Sequence, residues 1–440
     1  MSNEAINSIN QEKKQIKVFG IPIFLFLVVA IIVISASYFD VIPKNLAGAF
    51  AVLLVLGAIF GEIGERIPIW NEYVGGGAIL AFLGSAFLVY YGIMPEGTIE
   101  SINAFMKTSS FLDLFISVLI TGSILAVNRE ILIKAVRGYF PAIIGGIILS
   151  FVFGGLVGLI FGKSFMETIY MYALPIMGGG TGAGALPMSE MYESITGNSR
   201  EAFLSFAFPI LTIANIICII LAAILNKIGQ KRPNLTGNGE LVKVGELDVS
   251  VKDKKIDITL RDIGAGLLLA TTYYVLGRLM SKVILPSIFG IEIHAFAYMV
   301  IFAAISNGFN IIPEELKQGA RRLQQFFSGQ FLWLMMVGVG VAYTDLGEFV
   351  GALTISNIII ATAIVIGAFL GSAIVGNLVG FYPIESGISA GLCMANRGGS
   401  GDLAVLGSAK RMELMPYAQI SSRIGGGIML VIASIVFGML

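Results

Sequence analysis

Stretches of about 20 residues with almost no charge recur along the whole 440-residue chain. That recurrence constrains the fold more than any other feature, because it matches the length an α-helix needs to cross the hydrocarbon core of a bilayer. The stretches lie near 21–39, 45–62, 74–94, 110–127, 138–162 and 202–226, then near 263–286, 293–312, 328–343, 354–381 and 416–440. In lipid every backbone polar group must find its partner within the protein, so the expected fold is an all-α polytopic membrane protein of about 11 transmembrane helices. Composition agrees: 56% of residues are hydrophobic and 13% charged, too apolar for a soluble domain of this size. A net charge of zero without a basic patch argues against a nucleic-acid partner. The first run lacks a small-residue cleavage site and reads as a retained helix after a polar tail, 1–20.

Cytoplasmic loops carry an excess of Lys and Arg. One alternating topology places the N-terminus, the Arg129/Lys134/Arg137 loop, the polar linker 227–262, the Lys317/Arg321/Arg322 loop and Lys410/Arg411 in the cytoplasm. The C-terminus is then outside. The linker carries Lys231, Arg232, Lys243, Lys252, Lys254, Lys255 and Arg261 and is too charged to enter lipid. Two glycine-rich apolar stretches, 166–192 and 382–410, would reverse this pattern if they crossed, so each is expected to be a re-entrant hairpin.

The two halves, 45–226 and 263–440, repeat the same order of features. Phe111 to Val127 parallels Phe331 to Thr344, and 138–162 parallels 354–381. Gly178-Gly179-Gly180-Thr181-Gly182 parallels Arg397-Gly398-Gly399-Ser400-Gly401, and Phe208-Pro209-Ile210-Leu211 parallels Met415-Pro416-Tyr417-Ala418. In the expected topology the related segments run in opposite senses. Inverted repeats with broken helices are the architecture of secondary transporters, whose sites lie where the broken helices meet.

The polar run from Cys393 to Asp402 is the costliest part of the chain to insert, at roughly 2.5–3.5 kcal/mol for each of Arg397 and Asp402. Backbone N–H groups exposed at a hairpin tip or half-helix N-terminus suit carboxylates, and Thr181 and Ser400 each add a hydroxyl. Arg397 and Arg423, the latter in Ser421-Ser422-Arg423-Ile424-Gly425-Gly426-Gly427, present forks matched to carboxylate geometry. Together with Thr181, Gly182, Gly399, Ser400 and Gly401 they are the expected site for a small di- or tricarboxylate. An internal pair of Arg397 with Asp402, or Arg423 snorkelling to the interface, is the competing arrangement. Oxygen ligands for a coupling sodium ion are expected from Asn396, Thr181, Ser400, the backbone at Gly180, and the carbonyls near Cys393 and Met394. Asp402 joins these, carries a proton, caps a helix or pairs with Arg397.

Other polar residues read as structural. Glu62, Glu65 and Arg66 lie at a span end, Glu190 and Glu385 flank the hairpins at the interface, and His294 begins a span as a satisfied or exposed imidazole. With one histidine and two separated cysteines, Cys218 and Cys393, neither a zinc site nor a disulfide is indicated. No organic cofactor is expected. An intramembrane enzyme would need a base beside Ser400 or Ser189, and none is apparent.

The paired GGxG motifs and the SSRIGGG arginine make the chain resemble the bacterial 2-hydroxycarboxylate transporter family over essentially its whole length. The resemblance implies an extra first helix (21–39), two inverted five-helix halves and a re-entrant hairpin in each. It further implies a homodimer in which a domain carrying both hairpins moves across the inner membrane like an elevator. It assigns the substrate to Arg397, Ser400 and Arg423 with hairpin one contributing around Thr181 and Gly182, and sodium to Cys393, Met394 and Asn396. The implied function is Na+-coupled uptake of a 2-hydroxycarboxylate. Citrate symport, proton coupling and precursor/product exchange are the alternatives. The turn Ala183-Gly184-Ala185-Leu186 lacks an acidic residue associated with citrate-specific members, which favours malate.

Overall fold

The computed structural model describes residues 17–71, 76–127, 138–243, 257–288, 291–398 and 400–440. The Arg129/Lys134/Arg137 loop, Lys252, Lys254, Lys255 and Gly399 lie outside the described residues. Each expected apolar stretch is helical: α1 (Ile23–Tyr38), α2 (Leu46–Arg66), α3 (Gly76–Tyr90), α4 (Glu96–Asn103), α5 (Phe111–Leu125), α6 (Phe140–Ile160), α7 (Leu186–Thr196), α8 (Arg200–Lys231), α9 (Leu260–Leu279), α10 (Ala295–Gly308), α11 (Glu314–Gln330), α12 (Leu332–Ala342), α13 (Ile355–Leu378), α14 (Ser400–Ala409), α15 (Met415–Ile420) and α16 (Gly426–Phe437). Among the described residues six helices are long and apolar enough to cross a bilayer unaided, and two bent pairs add to them.

Boundaries depart from expectation where local chemistry intervenes. The first span begins at Ile23, because Lys17–Val18 and Ile21–Pro22 form a two-stranded ribbon around Gly20, whose φ is +78°. The span expected at 328–343 is broken at Phe331, between α11 and α12. Around the polar stretch 227–262, α8 continues to Lys231 and α9 starts at Leu260 on a capping box of Thr259 and Asp262.

The chain forms two compact units. One contains the described residues up to Asn71, Gly76–Ser110 and Trp333–Ala342. It is held by a glycine seam: Gly57 and Gly61 on α2, four apart, let Trp333 lie against the helix, and a Cβ at Gly64 would come within 2.6 Å of the Gly76 carbonyl. Glu62 accepts from the Phe19 N–H at 3.4 Å and pairs with Arg66 at 2.9 Å, while Glu65 accepts from the Gly77 N–H at 2.9 Å. These charges tie the unit together, as their place at a span end suggests.

The other unit holds Phe111–Leu332 and Tyr343–Leu440. At its centre α6 crosses α13. Gly145 and Gly371 approach so closely that a Cβ on either would strike the other's carbonyl, Gly367 packs on the Leu149 carbonyl, and Gly154 meets Ile364. Partner numbers fall along α13 as they rise along α6, so the helices are antiparallel. Beside this pair lie two helix–turn–helix segments. The first descends through Phe165–Met177 in three short helical pieces, turns at Gly178–Gly180 and returns through the π-helical turn Thr181–Ala185 into α7. The second runs through Pro383–Leu392, turns, and returns as α14. Residues 172–181 and 384–396 are buried without interruption, as irregular backbone in a membrane protein must be.

The linker's first part is not a free connection. Tyr382 N–H donates to the Leu241 carbonyl at 2.8 Å, Lys243 N–H to Gly380 at 2.9 Å, and Val242 forms an antiparallel bridge with Phe381. Beneath them Glu385 and Arg411, expected at the interface and in a cytoplasmic loop, form a buried ion pair at 2.8 Å with side chains 0% and 2% exposed. A charge buried without a partner is costly, and here each of the two supplies the partner the other needs.

Candidate functional site

The two glycine turns meet. Gly179 and Gly180 have φ of +76° and +114°, and Gly398 has +76°, a region that favours residues without a Cβ. The close approach demands glycine again: a Cβ at Gly180 would strike the Arg397 carbonyl, one at Gly398 would lie 2.7 Å from the Gly179 carbonyl, and one at Gly179 would strike the Ser422 carbonyl. The tips of both segments and the last helix therefore touch through bare backbone.

On the second tip, oxygen atoms converge. Asp402 is 2% exposed. Its carboxylate accepts from Asn396 Nδ2 at 3.0 Å and from Ser422 Oγ at 2.8 Å. Ser422 Oγ also lies 3.1 Å from the Cys393 carbonyl. Asn396 Oδ1 accepts from the Gly398 N–H at 2.6 Å, and Asn215 Oδ1, from α8, lies 3.5 Å from the Arg397 N–H. A Cβ at Gly401 would meet both amide oxygens at 2.9 Å. Asp402 thus bonds to Asn396 and Ser422. This set of hard oxygen donors has the chemistry a sodium ion requires.

Next to it is a cavity of about 300 Å³ whose lining mixes polar and apolar groups. Gly179 and Ala183 of the first tip, Asp402 of the second, and Met415, Gln419, Ser422, Arg423, Gly426, Gly427 and Leu430 of the last helix line it, with Ser123 from α5 and Gln324 and Ser328 from α11. Residues 415, 419, 422/423, 426 and 430 recur at helical spacing, so one face of the last span forms a wall. The π-helical turn Ser421–Gly425 interrupts that span at Arg423, a distortion that is frequent at functional sites. A larger, apolar cavity of about 620 Å³ shares Ile124, Val300, Arg423 and Gly427 with it. The smaller one is the better anion site, because orienting a polar ligand takes convergent donors.

Of the residues singled out in the sequence, Arg423 and Asp402 line the cavity. Asn396, Cys393 and Met394 lie behind it, each fully buried. Gly180, Gly398 and Gly401 shape the tips. Thr181, Gly182 and Arg397 are next to the tips and are not among the lining residues. Ser400 is the first residue of α14. Sequence reasoning passed over Gln419, Gln324, Ser328, Ser123 and Asn215. Gln419 was within reach, one turn before Arg423 on the same face, whereas Gln324, Ser328 and Ser123 come from other helices and carry no local signal. His294 caps α10, with Nδ1 accepting from the Phe296 N–H at 3.2 Å, in the satisfied role expected of it.

Comparison with known proteins bears on this geometry. Over 424 residues the chain is 52% identical to the citrate/sodium symporter of Salmonella typhimurium, covering 96% of this chain and 95% of the relative. It is 39% identical over 408 residues to the Na(+)-malate symporter of Bacillus subtilis, covering 92% and 89%. With the malate transporter MleP of Lactococcus lactis it shares 32% identity over 426 residues, covering 96% and 98%. The model of the 2-hydroxycarboxylate transporter family matches residues 18–435, taking in both glycine tips and the Arg423 helix. Membrane-length helices, paired glycine turns and a match over nearly the whole chain lead to one conclusion: this protein belongs to the 2-hydroxycarboxylate transporter family.

Proposed function

We propose that the protein is a secondary symporter that couples sodium influx to uptake of a 2-hydroxycarboxylate, citrate or malate, across the bacterial inner membrane. The observation that carries this reading is the meeting of two glycine tips beside a cavity lined by Arg423 and Asp402, with oxygen atoms clustered around Asp402. A carboxylate in the cavity is held by the Arg423 fork, by Gln419, Gln324 and Ser328, and by backbone N–H groups at the start of the Thr181–Ala185 turn. Arg397, Gly399, Ser400, Gly401, Thr181 and Gly182 close around the ligand when the tips tighten. Sodium is held by Asp402, Asn396 and the Cys393 carbonyl, with Met394, Gly180 and Thr181 at its edge. Because Ser422 touches both Asp402 and the cavity, occupancy of one site orders the other. No chemical step is involved, and the protein is a transporter rather than an enzyme.

The choice between citrate and malate rests on the turn after the first tip and on the relatives. Of Ala183, Gly184, Ala185 and Leu186, only Ala183 lines the cavity; Gly184 packs on the Gly178 carbonyl, and Ala185 and Leu186 are fully buried. The lack of an acidic residue there therefore says little about the ligand, and the argument for malate loses its weight. The citrate/sodium symporter is the most similar of the three relatives named above, so both substrates stand level.

The architecture we infer is an inverted repeat of two five-helix halves plus the first helix, 11 spans and two re-entrant hairpins, with the N-terminus cytoplasmic and the C-terminus outside. The antiparallel crossing of α6 and α13 supports it: with the glycine tips aligned, Leu149 and Gly367 are near-equivalent positions, and they face each other. A homodimer with an elevator-like movement of the hairpins follows from the same reading. Uptake of radiolabelled citrate and malate into proteoliposomes under an imposed sodium gradient tests the function, with and without Arg423→Ala. Sodium-independent uptake eliminates symport. Uptake driven only by a counter-substrate makes the protein an exchanger, and intact uptake by Arg423→Ala removes Arg423 from the site.

A further inference from the structure

The larger of the two cavities beside Arg423 differs from the smaller in chemistry. It encloses about 620 Å³, and among the described residues Arg423 is the only charged one that lines it, the others being apolar side chains or glycine. Two helices supply most of the wall. Ile301, Ile305 and Gly308 of α10 recur every three or four residues and so share a face, and Ile424, Ile428 and Val431 of the last span do the same. Gly308 leaves the space open, since a Cβ there would meet nothing within 4 Å. From Val300 to Gly308 the wall runs about 12 Å along the α10 axis, at 1.5 Å per residue. Large apolar side chains rim the mouth, with Ile301 36%, Ile305 43% and Phe309 78% exposed, which in a membrane-spanning segment sets that mouth against hydrocarbon. Arg423 stands on the wall shared with the smaller cavity and forms no ion pair with any described residue.

An elongated apolar wall with a single cation is complementary to an apolar chain that ends in an anion. We propose that this cavity binds a fatty acid drawn from the bilayer, with its carboxylate on Arg423 and its chain along Ile301, Ile305 and Ile428, and that this ligand competes with the substrate for Arg423. The competition rests on the substrate reading above; the fatty-acid site does not. Lipid tails are as apolar as the wall, so moving the chain from bilayer to cavity gains little by itself. Preference for the cavity comes from the head, which meets the guanidinium fork away from water. The chain gives the carboxylate a route to Arg423 through hydrocarbon.

Full-length protein in lipid nanodiscs is irradiated with dodecanoic acid carrying a diazirine near its methyl end, and labelled peptides are read by mass spectrometry. The pH is about 9, so that the probe is ionised despite the low dielectric around it. Label should gather in Ile301–Phe309 and Ile428–Ile432 above the level at Phe24 and Ile31, exposed on α1, which report bulk lipid. The methyl ester of the probe should label the cavity segments about tenfold less, the low end of what a hydrogen bond to a charged group is worth. That comparison needs no variant. Gly308→Phe fills the cavity and should bring its label down to the α1 level, while uptake is kept because Gly308 does not line the substrate cavity. Equal labelling by acid and ester, label no denser in the cavity than on α1, or undiminished label in a folded Gly308→Phe overturns the proposal. So does labelling by a phosphatidic acid probe where the fatty acid gives none. Saturating citrate or malate with sodium should displace the label. If the label stays while the acid is still preferred over the ester, the competition and the substrate's use of Arg423 both fall, and the fatty-acid site stands.

Discussion

Replacing Arg411 by methionine should destabilise the protein more than any single change in the substrate cavity. The guanidinium is 2% exposed and serves several acceptors. Nε donates to Glu385 Oε1 at 2.8 Å, Nη2 to Thr236 Oγ1 at 2.9 Å, and Nη1 to Asn226 Oδ1 at 3.0 Å and to the Ala409 carbonyl. Without it Glu385, fully buried, keeps among the described residues the Thr236 hydroxyl at 2.6 Å and the Gly239 N–H at 3.5 Å. Removing one partner of a buried pair leaves an uncompensated charge and costs about 3–5 kcal/mol. Replacing both partners by apolar groups removes that penalty, so Arg411→Met/Glu385→Leu should cost less than either single change. Its residual loss, from Thr236 and Asn226 left without the guanidinium, is about 1–2 kcal/mol.

Equilibrium unfolding in mixed micelles of a mild detergent and dodecyl sulfate measures these costs. Alkylation of Cys218 and Cys393, both buried in the folded state, reports the unfolded fraction. The double-mutant cycle should then give a coupling of at least about 4 kcal/mol, because each single variant strands a buried charge and the double variant does not. A single substitution costing less than about 1 kcal/mol, or a double variant whose cost equals the sum of the singles, would refute the argument that desolvated charge dominates here.

Gly180→Ala combines a φ of +114° with a Cβ against the Arg397 carbonyl; strain of about 1–3 kcal/mol should push the tips apart, and substrate affinity in proteoliposomes should fall while the helix content seen by circular dichroism is kept. Asp402→Asn keeps one acceptor for Asn396 and Ser422 but removes the charge beside the oxygen cluster, so the sodium concentration for half-maximal uptake should rise by at least about tenfold, the equivalent of 1.4 kcal/mol; an unchanged sodium dependence would take Asp402 out of the ion site. Thr259→Ala abolishes the capping box of α9 and should cost about 1 kcal/mol in the same micelle titration, without altering uptake.

Much of the site was legible because its demands are local. Glycines at 178–180 and 398, and charge at 402 and 423, are out of place in an apolar chain unless backbone and polar groups must converge there, and the structure brings them together. Glu385 and Arg411 show the limit. Near the ends of an apolar segment they read as ordinary interfacial charges, and nothing in a single sequence announces that residues 26 apart bury each other and hold down the linker. Glu190 was read in the same way, as an interfacial charge beside the first hairpin, and its pairing with Arg200 had no local signal. Arg397 was expected at the cavity for its guanidinium, and what the tertiary structure adds is its carbonyl, which lies against Gly180 where the tips meet.

The sequence by itself determined the membrane class, the positions of the helices, the two glycine turns and the family. Hydropathy over about 20 residues and the need for bare backbone are properties of contiguous chain. Tertiary structure alone decided that Asp402 bonds to Asn396 and Ser422, that Gln324 and Ser328 complete the cavity, and that buried charges pair across helices. Those outcomes depend on which helix faces meet, and in a membrane, where apolar residues cover helices on every side, hydrophobic periodicity no longer says which face that will be.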